Sequence, residues 1–445
     1  MIKGNTRIEL TNVYTKEKKV VEHHNMITNA LVDMNKRVYG VNGMDTFLYM
    51  YAKQFLGAND PFWRSMFSGI ILFKEPLSDS AEEYIFPAGN KVTGCGDIER
   101  VKTQEMRDES CTIMGNFNSD ESVLSEKKAK MVYDFATSQG NGQISSIALC
   151  NKLLARSCYN YGSNMDGVAL YRAAEYERIN AGRLLMTKNC VLKGNIADSS
   201  WLARDGNRYT ISYFYHDTDE MSIQMSTRLN YNSVIRYNEK TVTVDLGAGD
   251  YTYTFKIDDK NIIIFYSKST GKFKYICLTD GTVYEKDVPI GYYAVYPFDG
   301  YFVALKQDGS TYSYSVLKDD GTILFENVLN AGNLPSCTGM LGNRYVLFHN
   351  NTIYFMIDLL SGGVSKFYVN ISSGFDHYGA SITDTPVFDN ILHIYGSNYS
   401  SNHYWPSSTC FSTWQPWLTT KNNLESPVIK TSAQTMKITY TISEE

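Results

Sequence analysis

Apolar residues recur along the second half of this chain in two phases of one period. The first phase is a set of continuous apolar runs, each following a turn: residues 261–266, 300–305, 342–348 and 390–395, with 206–211 copying the third of them. Such runs fit buried strands. The second phase lies about 20 residues later and consists of alternating segments around Asp-Gly or Gly-Gly pairs, at 275–285, 316–326 and 356–364. Their turn glycines are Gly281, Gly321 and Gly362, so the period is about 40 residues. A glycine at the turn accepts the positive φ that a tight hairpin requires. A period near 40 with several short strands per unit is the mark of β-propeller blades, and five occurrences imply about five blades. The alternative is a β-sandwich or meander with coincidental spacing.

The flanks follow other patterns. Arg7 to Tyr14 alternates, residues 15–19 turn, and Val20 to Glu22 returns, which predicts a β-hairpin. Thr28 or Asn29 can cap a helix with Leu31, Met34 and Val38 on one face, closed by Gly40. A second short helix fits Asp45 to Gly57, with Phe47, Leu48, Tyr51 and Phe55 as its apolar side. Residues 69–73 form an apolar run and predict a buried strand, and 74–130 read as irregular, with turns at Pro76, Pro87, Gly94 and Gly96. Residues 131–135 and 143–149 flank Gly140, Asn141 and Gly142, which predicts a further hairpin. Residues 152–200 are a connector in which 168–171 and 183–186 can be strands. At the far end Met436, Ile438, Tyr440 and Ile442 alternate cleanly. A strand this regular needs a partner, and the N-terminal half is the candidate, which makes that region discontinuous with the repeats inserted in it.

Composition narrows the classes. Thirty-four tyrosines and only ten prolines suit exposed β-structure, where tyrosine buries its ring and keeps its hydroxyl wet. The net charge is −5 with no basic block, which argues against nucleic-acid binding. No apolar run reaches the length of a membrane-spanning helix. The first twenty residues are strand-like and charged, unlike a signal peptide, so synthesis in a cytoplasm is expected. Eight cysteines, at 95, 111, 150, 158, 190, 277, 337 and 410, are scattered without a CxxC pair and read as free thiols.

The flanking segments carry a resemblance. Residues 8–13 with 20–31, then 69–73, 85–89 and 114–118, and above all 132–144 (Val132 to Ile144), together with Met436 to Thr441, resemble tail-fibre or host-attachment proteins of phages and prophages of Gram-positive, clostridial-type gut bacteria. The likeness covers residues 5–160 and 426–445 and rests on the order of the motifs rather than on any single one; Gly94 to Cys111 departs from the family's usual loop. It implies a β-rich attachment domain with one or two short helices, 1–195, completed by 420–445; the repeats, which the likeness does not cover, add the β-propeller read from their period, over 196–419, and make the whole a mainly β protein. The implied role is a tail-fibre or baseplate-associated receptor-binding protein of the virion. Its implied partners are other tail or baseplate proteins, a host cell-surface glycan or surface-layer protein, and further copies of itself, without nucleic acid or membrane insertion. A propeller glycan hydrolase and a non-adhesive tail or collar decoration are the alternatives.

Candidate chemistry is sparse, and no catalytic, cofactor or metal residue is assigned. Asp319 to Thr322 and Gln307 to Thr311 are like the Asp-boxes of sialidase propellers, but Leu317 and Leu324 stand where the box needs a hydroxyl and an aromatic, so hairpin turns explain them. His216 to Glu220 lacks the glycine and spacing of a calcium loop. His23 and His24, placed between hairpin and helix, cannot share a helix face, and a hydrogen-bonded structural role is expected. No Gly-x-Ser-x-Gly elbow occurs, and sequence marks no carboxylate pair of the kind glycoside hydrolysis needs. The run 399–405 joins aromatic faces to amide and imidazole donors, which suits sugar binding. Tyr399, His403 and Trp405 are therefore the receptor-contact candidates, against ordinary loop packing.

Overall fold

The computed structural model describes residues 2–30, 67–98, 112–124, 128–158 and 416–444, the stretch 168–169, and most of 202–215, 238–256, 262–370, 381–397 and 409–414. Two helices expected over 29–40 and 45–57 lie outside the described residues apart from the first turn at Asn29 and Ala30.

The two ends of the chain build one sheet. Its strands run in the order Val92–Asp97, Gly69–Phe73, Gly142–Cys150, Leu418–Lys430, Lys18–Ile27, Ile2–Asn12, Gln434–Glu444, Lys128–Phe135 and Asn116–Phe117, and Val123–Leu124 pairs beside Lys128–Phe135. The C-terminal strand finds its partner as expected: Gln434–Glu444 pairs with Ile2–Asn12 on one side and with Lys128–Phe135 on the other. Its alternating face, Met436, Ile438, Tyr440 and Ile442, is buried with Ile8, Leu10, Tyr133 and Phe135. The sheet curls until its edges meet. Cys95 N–H donates to Ile113 O at 2.9 Å and Gly115 N–H to Cys95 O at 2.8 Å, which nearly closes a barrel. A short seam lies between Lys18–Ile27 and Leu418–Lys430, joined by two residue pairs, Met26 with Lys421 and Ile27 with Thr420.

Three local expectations are corrected. Gly94 and Gly96 are not turn residues; they lie inside the strand Val92–Asp97. A Cβ on Gly94 would sit 2.9 Å from Leu72 Cδ1 and 3.1 Å from the Phe135 ring, so the missing side chains are filled by neighbouring rings. Residues 131–149 are not a hairpin: both strands exist, but Lys128–Phe135 pairs with the C-terminal strand and Gly142–Cys150 pairs with Leu418–Lys430 and Gly69–Phe73. The turn between them is held locally, with Ala136 N–H donating to Gln139 Oε1 at 2.9 Å and Lys430 Nζ donating to Ala136 O at 2.8 Å, so it carries the chain between non-adjacent strands. His23 and His24 lie within the strand Lys18–Ile27 rather than after it; His24 Nδ1 is 2.6 Å from Asn5 Oδ1.

The repeats form five small sheets in chain order, a propeller-like array. The second strands of the sheets are Arg208–Tyr215, Ile262–Ser267, Tyr301–Asp308, Tyr345–Asn350 and Ile391–Ser397, the five apolar runs of the sequence. The alternating segments are the outer hairpins, Lys272–Cys277 with Val283–Asp287, Thr311–Lys318 with Ile323–Leu329, and Ile353–Asp358 with Val364–Asn370. Val303 and Val346 are fully buried, as core positions should be; the side chains of Ile263 and Leu392 lie outside the described residues. Val168–Ala169 adds in parallel to the edge of the fourth sheet, whereas 183–186 lies outside the described residues.

Two tests follow from this arrangement. Deleting residues 430–445 uncovers Ile8, Leu10 and Tyr133, so limited proteolysis should cut residues 1–150 much faster than 301–370. Equal protection of both regions in the truncated chain would contradict the pairing. Lys430, 1% exposed, donates to three neutral oxygens, on Ala136, Thr137 and Asn141. Burial pulls its ammonium down to about 8. Between that value and the ordinary lysine range the unfolded chain holds the proton that the folded chain has lost, so stability should rise with pH there. The stability difference between wild type and Lys430→Met, measured by denaturation from pH 7 to 10, should shift in favour of wild type as pH rises; a flat difference would contradict it.

Candidate functional site

The three sequence candidates, Tyr399, His403 and Trp405, lie outside the described residues, as does His216 to Glu220. What the structure does describe is the ends of the blades, where hairpin turns gather polar side chains.

In the third blade two turns meet. Gly300, at φ +73°, joins Ala294–Phe298 to Tyr301–Asp308, and Gly321, at φ +83°, joins Thr311–Lys318 to Ile323–Leu329. Tyr301 and Lys318 are direct cross-strand partners, which brings the two turns together. Between them lies an open depression of about 320 Å³ lined by Gly300, Tyr301, Lys318, Asp319 and Asp320. Asp320 Oδ1 accepts the Thr322 N–H at 2.9 Å, and the Thr322 hydroxyl and amide hold its carboxyl below the usual range. The turn thus uses Asp320 structurally, as expected of a hairpin. A ring, an ammonium and two carboxylates on an open surface can stack on and hydrogen-bond a polar ligand. They do not desolvate it, since the depression is shallow.

The perturbed carboxylates elsewhere serve turns. Asp250 accepts from the hydroxyls of Ser267 and Ser269, which pull it down to about 2. Asp358, 2% exposed, would be raised by burial, but Arg344 outweighs this with a bidentate pair at 2.8 and 2.7 Å, and Ser361 and the Leu360 amide add to it. On the second blade Tyr275 and Tyr284 stack across the strands at 4.6 Å and 12°, beside the Lys274–Glu285 ion pair at 3.1 Å. Tyr284 keeps 38% of its surface exposed. Among the described residues no group of three or more His, Cys, Asp or Glu is disposed to hold a metal ion. Among the described residues, Cys95, Cys150, Cys158 and Cys337 form no disulfide with one another.

Sequence reasoning missed two elements near these sites. The helix Lys152–Ser157 is capped by Asn151, whose side chain accepts the Leu154 N–H, and Arg156 reaches from it to Asp97 in a bidentate pair at 3.0 Å. An Asn before Lys-Leu-Leu-Ala-Arg was the available signal. The strand Leu418–Lys430 had no such signal, because Thr419, Thr420, Lys421 and Asn422 are polar and buried.

No family model matches the chain, and no curated protein sequence does. The similar solved structures are distant. The apo form of AztD from Citrobacter koseri shares 10% identity over 64% of this chain and 70% of that one, with a TM-score of 0.28. The β-propeller domain of Myceliophteria thermophila Cps50 (Swd1) shares 10% over 48% of this chain and 74% of that one, at a TM-score of 0.23. Hsv2p of Kluyveromyces lactis shares 7% over 35% of this chain, at 0.23, and the chain spans 48% of its length. At these scores the likeness carries no argument about activity, and the blade assignment rests on the sheets themselves.

Removing one partner of a buried ion pair leaves the other charge uncompensated. The Arg344 side chain keeps 36% of its surface exposed and water screens part of the loss, so Arg344→Leu should cost about 1–2 kcal/mol of stability at pH 7. The wild-type pair stabilises above the ordinary aspartate range and is lost as pH falls through the lowered Asp358 value. The deficit of the variant should accordingly shrink in acid. A deficit independent of pH, read by chemical denaturation from pH 3 to 7, would contradict the role given to Asp358.

Proposed function

We propose that this chain is a phage virion tail protein, a tail-fibre or baseplate-associated receptor-binding protein. In this reading the terminal sheet docks on other tail or baseplate proteins, and the bladed array meets a host cell-surface glycan or surface-layer protein. Several copies on one particle turn weak single contacts into avidity. The observation that carries the reading is where the resemblance falls. Residues 5–160 and 426–445 supply strands of one sheet, and the chain leaves that sheet at Cys150 and returns at Leu418, which are direct cross-strand partners. An array hung from two adjacent strand ends can change those turns that do not touch the sheet, such as Lys318–Thr322, without disturbing the surface that faces a fixed partner.

The test is incubation of purified protein with host cell-wall and surface-layer material. Sedimentation with the material, without release of sugar, is the expected outcome. Release of reducing sugar would assign a glycan hydrolase to the array instead, and neither binding nor release would leave a structural decoration of the tail. Within the array Tyr399, His403 and Trp405 are the first positions to alter. Trp405→Ala should weaken binding by about 2 kcal/mol if its ring is an anchor, and unchanged binding after all three alanine substitutions would move the contact to another blade.

A further inference from the structure

The fourth blade has two buried faces with different neighbours. Val346, Phe348, Phe355 and Ile357 pack into the core of the array. Tyr345, Leu347, Tyr354 and Met356, which alternate with them, pack against the terminal sheet, on Ile71, Phe73, Ala148 and Cys150. Phe86 sits between the two, 5.4 Å from the Phe73 ring and 5.1 Å, edge to face, from Phe367.

Backbones also touch there. A Cβ on Gly89 would lie 2.8 Å from Gly363 Cα, and a Cβ on Gly363 would lie 3.0 Å from Gly89 Cα and 3.1 Å from Ala88 O. Gly89 N–H donates to Ser365 Oγ at 2.9 Å, and Arg344, already paired with Asp358, reaches Glu83 at 3.5 Å. Two glycines in contact, an apolar layer and polar contacts at its rim are the components of a packed core, which has few alternative arrangements.

We infer that residues 83–89 and the fourth blade form a fixed joint, which holds the bladed array at one angle to the terminal sheet. The array is not free to swing on its two connecting strands. The inference does not depend on what the array binds. It has a consequence for display: the Asp358–Gly363 turn is committed to the joint, whereas the Lys318–Thr322 turn of the third blade stays free for a target.

The experiment uses the full chain and two readouts, with hydrogen exchange as the check on folding. Small-angle X-ray scattering reports the spread of arrangements, and a maleimide pulse read by mass spectrometry reports access to Cys150, which lies in the joint and is fully buried. Wild type should scatter as one compact arrangement with Cys150 unlabelled. Gly363→Val, which drives a side chain into Gly89, should enlarge the maximum dimension and label Cys150 at least tenfold faster, while the backbone amides of Ile8, Leu10 and Ile438, inside the barrel, keep their slow hydrogen exchange. Wild-type scattering that requires many arrangements would overturn the joint, as would Gly363→Val scattering and labelling like wild type. If Gly363→Val also speeds exchange at those barrel amides and so has unfolded, the pair Ser365→Ala with Glu83→Gln decides. Faster Cys150 labelling with the barrel amides still protected supports the joint, and unchanged labelling overturns it.

Discussion

The pairing of Ile2–Asn12 with Gln434–Glu444 is the constraint on which the rest of the structure depends. Eleven residue pairs join the two ends of the chain, from Ile2 with Glu444 to Asn12 with Gln434. Forming that ladder closes a loop of several hundred residues, and loop closure grows in cost only slowly with length. The interior repays it: Ile8 and Leu10 from one end meet Met436, Ile438 and Tyr440 from the other, all buried. Everything between the terminal strands is thereby either a further strand of the same sheet or an excursion from it. Contacts so distant in sequence also imply slow folding, since the first strand waits for the last.

Polar side chains do much of the closing work in that sheet. Lys421 Nζ donates to the carbonyls of Ser78, Ser80 and Glu83 at 2.6, 2.7 and 3.0 Å, and Thr419 Oγ1 donates to Leu149 O at 3.0 Å. Inside the barrel, Asn25 Oδ1 accepts from Thr6 Oγ1 at 2.7 Å and from Asn422 Nδ2 at 2.8 Å, and the hydroxyls of Thr420 and Tyr440 bond to each other. Buried polar groups with partners specify one register where an apolar strand would tolerate several. That is also why Leu418–Lys430 shows no apolar alternation in the sequence. Thr419, Lys421 and Lys430 are buried with backbone carbonyls as partners, and Thr420 and Asn422 with other side chains, between the apolar Leu418, Leu424 and Val428.

Legibility in the sequence follows the same division. The apolar runs at 301–305 and 345–348 were readable because those blades are covered on both faces, and the alternation at 436–442 because the barrel buries only one. The Asn141–Gly142 pair misled, since a tight turn between two strands fixes their proximity only when nothing else pairs with them; here the strands contributed by the C-terminal segment lie between them in the sheet order. Gly94 and Gly96 misled in the same way, because glycine serves close packing as well as turning. Of the site, the turn role of Asp320 was legible from its Asp-Gly neighbours. The meeting of Tyr301 with Lys318 was not, since it depends on cross-strand register. The contact of Gly89 with Gly363 joins residues far apart in the chain and has no local signal.

A sheet built from both chain ends and a bladed array hung from adjacent strands within it form the centre of the account, and the proposed function gives them separate tasks. The most direct test of that proposal exchanges residues 201–405 with the corresponding region of a related protein in an intact phage particle and reads adsorption to each host alongside particle yield. The account predicts that adsorption follows the exchanged array while yield is unchanged. Adsorption that stays with the original host, at normal yield, would contradict it.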